Sequence, residues 1–115
     1  MKKVLITGAS RGLGRELLYV YASKDWVVFP LVRNESVAAE LISLYGSACH
    51  VIVGDVASDS VQNMIVGVLG RYTQSLDLLI NNAGNIRKNR GIDKADAVEL
   101  MEHFNVHCIG SLRCI

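Results

Sequence analysis

The stretch Thr7-Gly8-Ala9-Ser10-Arg11-Gly12-Leu13-Gly14 constrains this chain more than any other. It follows Lys3-Val4-Leu5-Ile6, a short aliphatic run that reads as a buried parallel strand. It precedes Arg15 to Lys24, where Leu17, Leu18 and Tyr21 recur at helical spacing. Strand, glycine-rich turn and helix in that order make a phosphate-binding corner. Gly8 permits a tight turn, Gly12 lets the backbone approach a pyrophosphate, and Gly14 lets the helix pack closely on the strand. The helix N-terminus adds free N–H groups and the positive end of a dipole. Glycines also mark ordinary turns, but here the strand, the helix and the position in the chain all agree.

Length and composition narrow the partners. The 115 residues fit one domain, 1–115, large enough for a real core. Half of them are hydrophobic and one is proline, which argues for a globular chain. A formal charge of +1 gives no strong pull on nucleic acid or on an acidic membrane. No apolar run approaches the ~18 residues of a membrane span. Met1-Lys2-Lys3 precedes an apolar segment that stops at a Thr-Gly turn without a cleavage site, so a secretory signal is not expected. Cys49, Cys108 and Cys114 show neither paired nor metal-ligand spacing, so reduced thiols, a cytoplasmic setting and no metal site are expected.

The rest of the chain alternates strands with helices. Trp26 to Val32 reads as a second strand, against which Pro30 is a mild objection because it lacks a ladder donor. Glu35 to Tyr45 reads as a helix with Val37, Leu41 and Leu44 inward, ended by Gly46. His50 to Val53 is a third strand, stopped by Gly54-Asp55. Ser58 or Asp59 caps a helix running to about Tyr72, with Val61, Ile65, Val68 and Leu69 as its apolar side and Gly67 and Gly70 weakening its later turns. Leu76 to Asn81 is a fourth strand, ended by the turn Asn82-Ala83-Gly84. Asn85 to Asp93 reads as an exposed basic loop, and a last helix runs from about Lys94 with Val98, Met101 and Phe104 at helical spacing. The expected fold is α/β, a doubly wound parallel sheet of about four strands with flanking helices. Its ligand site lies at the carboxyl ends of the strands, where the strand order reverses.

Thr7-Gly-Ala-Ser-Arg-Gly-Leu-Gly14 together with Asn81-Asn-Ala-Gly84 resembles the short-chain dehydrogenase/reductase family. The Gly-x-x-x-Gly-x-Gly spacing matches that family, and the resemblance spans the whole chain, which corresponds to the cofactor-binding half of such enzymes. It implies an incomplete Rossmann-type sheet, a nicotinamide cofactor and hydride transfer between that cofactor and a carbonyl or alcohol. The cofactor contacts it implies fall on Gly8, Ser10, Arg11, Gly12, Leu13, Gly14, Arg33, Asn34, Asp55, Val56, Asn81, Ala83 and Gly84. Arg33 follows the second strand, where an acidic residue would hold the ribose 2′-hydroxyl of NAD; an arginine instead suits a 2′-phosphate. With Arg11 nearby, NADP is favoured over NAD. Asp55-Val56 matches the position that reads adenine, with a turn aspartate as the alternative. Asn81 is expected to hydrogen-bond backbone across the sheet, while Ala83 and Gly84 leave room for the ribose.

The family's catalytic pair, Tyr-x-x-x-Lys, does not occur in these residues. Tyr19, Tyr21, Tyr45 and Tyr72 are followed four residues later by Ser23, Asp25, Cys49 and Leu76. The relay asparagine is expected three residues before Gly110, where this chain has His107; Asn105 stands two positions earlier. The expectation is a chain truncated before the catalytic serine, tyrosine and lysine, with Leu78 to Ile80 as a hydrophobic edge strand. Three readings stay open: the cofactor half of an oxidoreductase, a non-catalytic NADP-binding module or pseudoenzyme acting through a partner, and a remnant that does not fold stably alone. The family assembles dimers and tetramers through its fourth and fifth helices. The sequence holds only the fourth, which leaves homo-oligomerisation open.

Overall fold

Strand β1 (Lys3–Thr7) decides the layering, because its side chains alternate between two apolar faces. The structure, a computed structural model, describes residues 1–83. Val4 and Ile6 join Leu18, Val28, Val32, Ala38, Leu41 and Cys49 in one cluster, and Leu5 joins Phe29, Leu31, Ile52, Val56, Val61 and Ile65 in another. A strand buried on both faces has no polar side, which is why these runs read as continuous aliphatic sequence.

The elements that supply those faces are helix α1 (Gly12–Ser23), β2 (Val27–Val32), α2 (Glu35–Tyr45), a 3-10 turn at Gly46–Ala48, β3 (Ile52–Val53), α3 (Val61–Leu69) and β4 (Leu78–Ile80). The four strands are parallel in the order β3-β2-β1-β4. Helices α1 and α2 cover the first face and α3 the second. The chain therefore winds outward from β1 to β3, crosses to the other face through α3, and returns to the far side of β1. That is the doubly wound sheet expected from sequence, with its order reversing between β1 and β4.

Several boundaries differ from the sequence reading, each for a local reason. Helix α1 begins at Gly12, three residues before Arg15, because the glycine-rich turn itself enters the helix. Leu44 is exposed and Ala38 is buried instead: the inward stripe of α2 runs through Ala38 and Leu41. The N-cap of α3 is Ser60, not Ser58 or Asp59; Ser58 organises the entry by accepting Ser60 N–H at 3.3 Å and sharing a 2.8 Å hydroxyl contact with it. Helix α3 ends at Leu69 with Gly70 as its cap, short of Tyr72. Pro30 sits buried in a central strand, paired with Ile6. Its cost falls on β3. Cys49 bridges Val28 and Ile52 pairs with Leu31, but no strand forms between them. His50 donates to Val28 carbonyl at 2.9 Å, and the next bond back from strand β2 would need the N–H that Pro30 lacks. His50 is then stacked on Tyr72 with ring centroids 3.6 Å apart.

β4 has only three residues and is held to β1 at both ends. At the start, Lys3 N–H donates to Asp77 Oδ2 at 2.8 Å and Asp77 N–H donates to Lys3 carbonyl at 3.0 Å. At the finish, the Thr7 hydroxyl, 1% exposed, accepts Asn82 N–H at 2.9 Å and Ala83 N–H at 2.8 Å and reaches Ile80 carbonyl at 3.5 Å. Its one donor and two acceptor positions are all in use. Among the described residues β4 lies at the edge of the sheet. The basic loop from Asn85 to Asp93, the helix from Lys94, and Gly84, Asn105, His107, Cys108 and Cys114 lie outside the described residues.

Four substitutions, at Leu41, Leu44 and Thr7, test this packing. Leu41→Ala is expected to lower unfolding free energy by about 2–5 kcal/mol, and Leu44→Ala by less than about 0.5 kcal/mol, in chemical denaturation. Thr7→Val keeps the volume but leaves two backbone donors without their acceptor. It should cost about 1–3 kcal/mol, with Thr7→Ser recovering most of it.

Candidate functional site

The strand order reverses between β1 and β4, the place beyond whose carboxyl ends a doubly wound sheet binds its ligand, and the glycine-rich turn follows β1 there. Gly8 follows β1 at φ +66°, and a Cβ there would lie 2.8 Å from Ala83 Cα. Only glycine meets both demands. Ala9 is fully buried and donates to Leu31 carbonyl at 3.3 Å, which fastens the turn to β2. Gly14 is buried, and a Cβ on it would collide with Gly8 carbonyl and Asn82 Nδ2. The start of α1 is thus pressed against the turn that precedes it.

Gly12 differs from these two. At φ +62° it needs glycine for its backbone, yet a Cβ there would meet no described residue within 4 Å. Among the described residues, the first turn of α1 faces open space at that point. Its N-cap, Arg11, makes no side-chain capping bond, and the turn carries no acidic residue. The unanswered N–H groups and the dipole leave a place that favours an anion. Leu13 is 66% exposed beside it, and Ser10 is half-buried.

Charge on the rim comes from two arginines. Arg11 and Arg33 are both exposed, and neither side chain forms a hydrogen bond or ion pair with a described residue. Arg15 behaves otherwise: it is committed to Ser10 carbonyl and to Glu40. Asn34 caps α2, its Oδ1 accepting Ser36 N–H at 2.8 Å and Ser36 hydroxyl at 2.6 Å. Asp55 ends the loop after β3 with Oδ1 accepting Ala57 N–H at 2.9 Å, the turn role given above as the alternative. The Val56 side chain is 6% exposed and packs in the second core cluster.

The hydrogen bonds expected of Asn81 are made by its neighbour. Asn82 Nδ2 donates to the carbonyls of Thr7 and Gly8, each at 3.2 Å, while Asn81 is exposed. The signal was present as alternation: Leu78 and Ile80 pack on the α1 face, so Asn82, two residues further on, falls under the glycine turn. Thr7, whose hydroxyl aligns the two strand ends, was likewise not singled out. Asn82 locks the conformation of the turn without occupying the space beside Gly12.

Other reactive groups lie elsewhere. Cys49 is buried 3% exposed, and burial pushes its thiol up to about 12. His50, opposite the start of β2, is held below its usual range by burial. No group of three or more potential metal ligands occurs among the described residues, and no described helix is long and apolar enough to cross a membrane.

Comparison with known proteins agrees with this architecture. A sequence profile described as short chain dehydrogenase matches residues 2–115. The uncharacterized oxidoreductase YIR035C of Saccharomyces cerevisiae is 33% identical over 97 residues, covering 83% of this chain and 38% of that protein. An NADPH-dependent pterin aldehyde reductase of Arabidopsis thaliana is 34% identical over 98 residues, covering 84% of this chain and 40% of the relative. The chain thus spans about two fifths of the length of these curated relatives. The crystal structure of the Saccharomyces cerevisiae protein superposes with a TM-score of 0.89 at 28% identity, over 98% of this chain and 46% of the other. A 3-ketoacyl-(acyl-carrier-protein) reductase of Brucella melitensis, complexed with NADH, shares the fold with a TM-score of 0.89 at 23% identity, over 97% of this chain and 46% of the other. With the turn, the sheet order and the profile in agreement over the same residues, the chain belongs to the short-chain dehydrogenase family.

Proposed function

We propose that the site at the carboxyl ends of β1 and β4 holds NADP(H), and that the protein is an oxidoreductase passing hydride between that cofactor and a carbonyl or alcohol. The observation that carries this reading is the space at Gly12, open among the described residues, at an α1 N-terminus without a side-chain cap, with Arg11 and Arg33 unpaired with any described residue on the loops after β1 and β2. The donor set fits the phosphates of a dinucleotide: backbone N–H groups for the bridging pyrophosphate, guanidinium groups for a terminal phosphate. When bound, the nicotinamide supplies the hydride chemistry.

In this reading the first turn of α1, with Gly12, Leu13 and Gly14, binds the pyrophosphate, and Gly8 and Ser10 shape the turn that presents it. Arg33 grips the 2′-phosphate as a fork, with Arg11 adding charge from the opposite rim and Asn34 shaping the loop between Arg33 and α2. Asp55 offers its second carboxylate oxygen to the adenine amine while Oδ1 holds the turn, and Val56 forms the apolar wall behind the loop. Asn81, Ala83 and Gly84 border the ribose. Support for NADP comes from Arg33 and from the NADPH-dependent Arabidopsis relative; the Brucella reductase, with NADH, shares only the fold. A cytoplasmic setting, where a reduced cysteine and an NADPH pool coexist, belongs to the same reading.

Binding of NADPH and NADH to the full chain, followed by calorimetry, tests it. NADPH is expected to bind at least about tenfold more tightly. Arg33→Ala should weaken NADPH by roughly 10–100-fold and leave NADH nearly unchanged, as loss of a charge-assisted contact requires. Tighter binding of NADH, with NADPH affinity unmoved by Arg33→Ala, would assign the site to NAD, and equal affinities would overturn the preference for NADP. Gly12→Val, which fills the open space, should abolish binding of both.

A further inference from the structure

Arg15 stands apart from the other basic residues near the glycine turn because both branches of its guanidinium are committed. We propose that Arg15 and Glu40 form a positioning pair that fixes the direction of the Ser10–Arg11 peptide at the mouth of the dinucleotide site. The proposal rests on the reading that this site binds the phosphates of a dinucleotide.

Three observations carry it. Arg15 Nη1 donates to Ser10 carbonyl at 3.3 Å, and Nη2 donates to Glu40 Oε1 on α2. Arg15 lies in the first turn of α1, where a cation opposes the helix dipole, so its presence there needs a compensating group. Glu40 supplies it. As a strut between α1 and α2 the pair would do little, since its side chains are 32% and 52% exposed and exposed ion pairs are screened.

The consequence lies in the Ser10 carbonyl. In a trans peptide the C=O and the following N–H point in opposite directions. Holding Ser10 oxygen on the guanidinium therefore turns Arg11 N–H the other way and stops the carbonyl dipole from facing a bound anion. Glu40 belongs to the helix that begins two residues after Arg33. The pair thus ties the loop that carries Arg11 to the helix that follows Arg33. A lysine at position 15 has no fork to span both acceptors.

Chains carrying R15M, R15K and E40Q test this by three readouts: affinity for NADPH and NADH, melting temperature, and the N–H residual dipolar coupling of Arg11, which reads the direction of that bond. R15M should weaken both dinucleotides by about tenfold or more, move the melting temperature by less than about 2 °C, and change the Arg11 coupling. R15K should recover only part of the loss. E40Q is the deciding variant. It raises the local positive charge, so simple attraction predicts tighter binding, whereas positioning predicts binding weaker by about threefold. Unchanged or tighter binding in E40Q overturns the proposal, as does weaker binding of R15M with the Arg11 coupling unmoved. If the parent chain binds neither dinucleotide, the cofactor reading fails by itself. The Arg11 coupling then decides the pair: changed in R15M upholds it, unchanged overturns it.

Discussion

The Thr7 hydroxyl is the contact on which the site depends. One buried oxygen takes two N–H groups from the turn after β4, and so fixes where that turn lies against the end of β1. Asn82 completes the junction by donating back to the carbonyls of Thr7 and Gly8. These bonds run between residues more than seventy positions apart, across the point where the strand order reverses. The glycines follow from that junction. With Ala83 drawn against the turn, position 8 has no room for a side chain, and with Asn82 beneath α1, position 14 has none. Gly12 alone faces outward, so the same packing that closes the turn on one side leaves it open on the other.

A sheet covered on both faces gives that junction a rigid base. β1 and β2 send alternate side chains into two separate apolar clusters, and full burial of a residue such as Phe29 contributes about 1.5–3 kcal/mol. The groups proposed to hold phosphate are not part of this core: backbone N–H groups at the start of α1 and the exposed Arg11 and Arg33 on the loops after β1 and β2. Loops positioned by a rigid scaffold are where binding residues are ordinarily found.

Much of this was legible in the sequence because it rests on local pattern. Hydrophobic runs of four to seven residues, helical spacing in Leu17, Leu18 and Tyr21, and the glycine turn gave the order of elements, and the parallel, doubly wound sheet followed. What escaped was set by distant partners. The inward stripe of α2 includes Ala38 and excludes Leu44, a choice made by the position of the helix on the sheet rather than by its own hydrophobicity. The loss of pairing near His50 comes from Pro30, a residue on another strand. Asn81 and Asn82 are alike in isolation; only the register of β4 against β1 decides which of them lies under the turn. Arg15 is one arginine among several until the contact with Glu40, twenty-five residues away, separates it from Arg11 and Arg33.

The proposed ligand position is at the carboxyl ends of β1 and β4, beside Gly12. The most direct test is an NMR titration of the isotopically labelled chain with NADPH, followed amide by amide. Shifts concentrated at Gly8 to Gly14, at Arg33 and Asn34, and at Asn81 to Ala83 are the predicted result. The largest shifts instead at the groove beside α3 and its following loop, lined by Gln62, Leu69, Thr73 and Leu76, with the glycine turn unmoved, would contradict it.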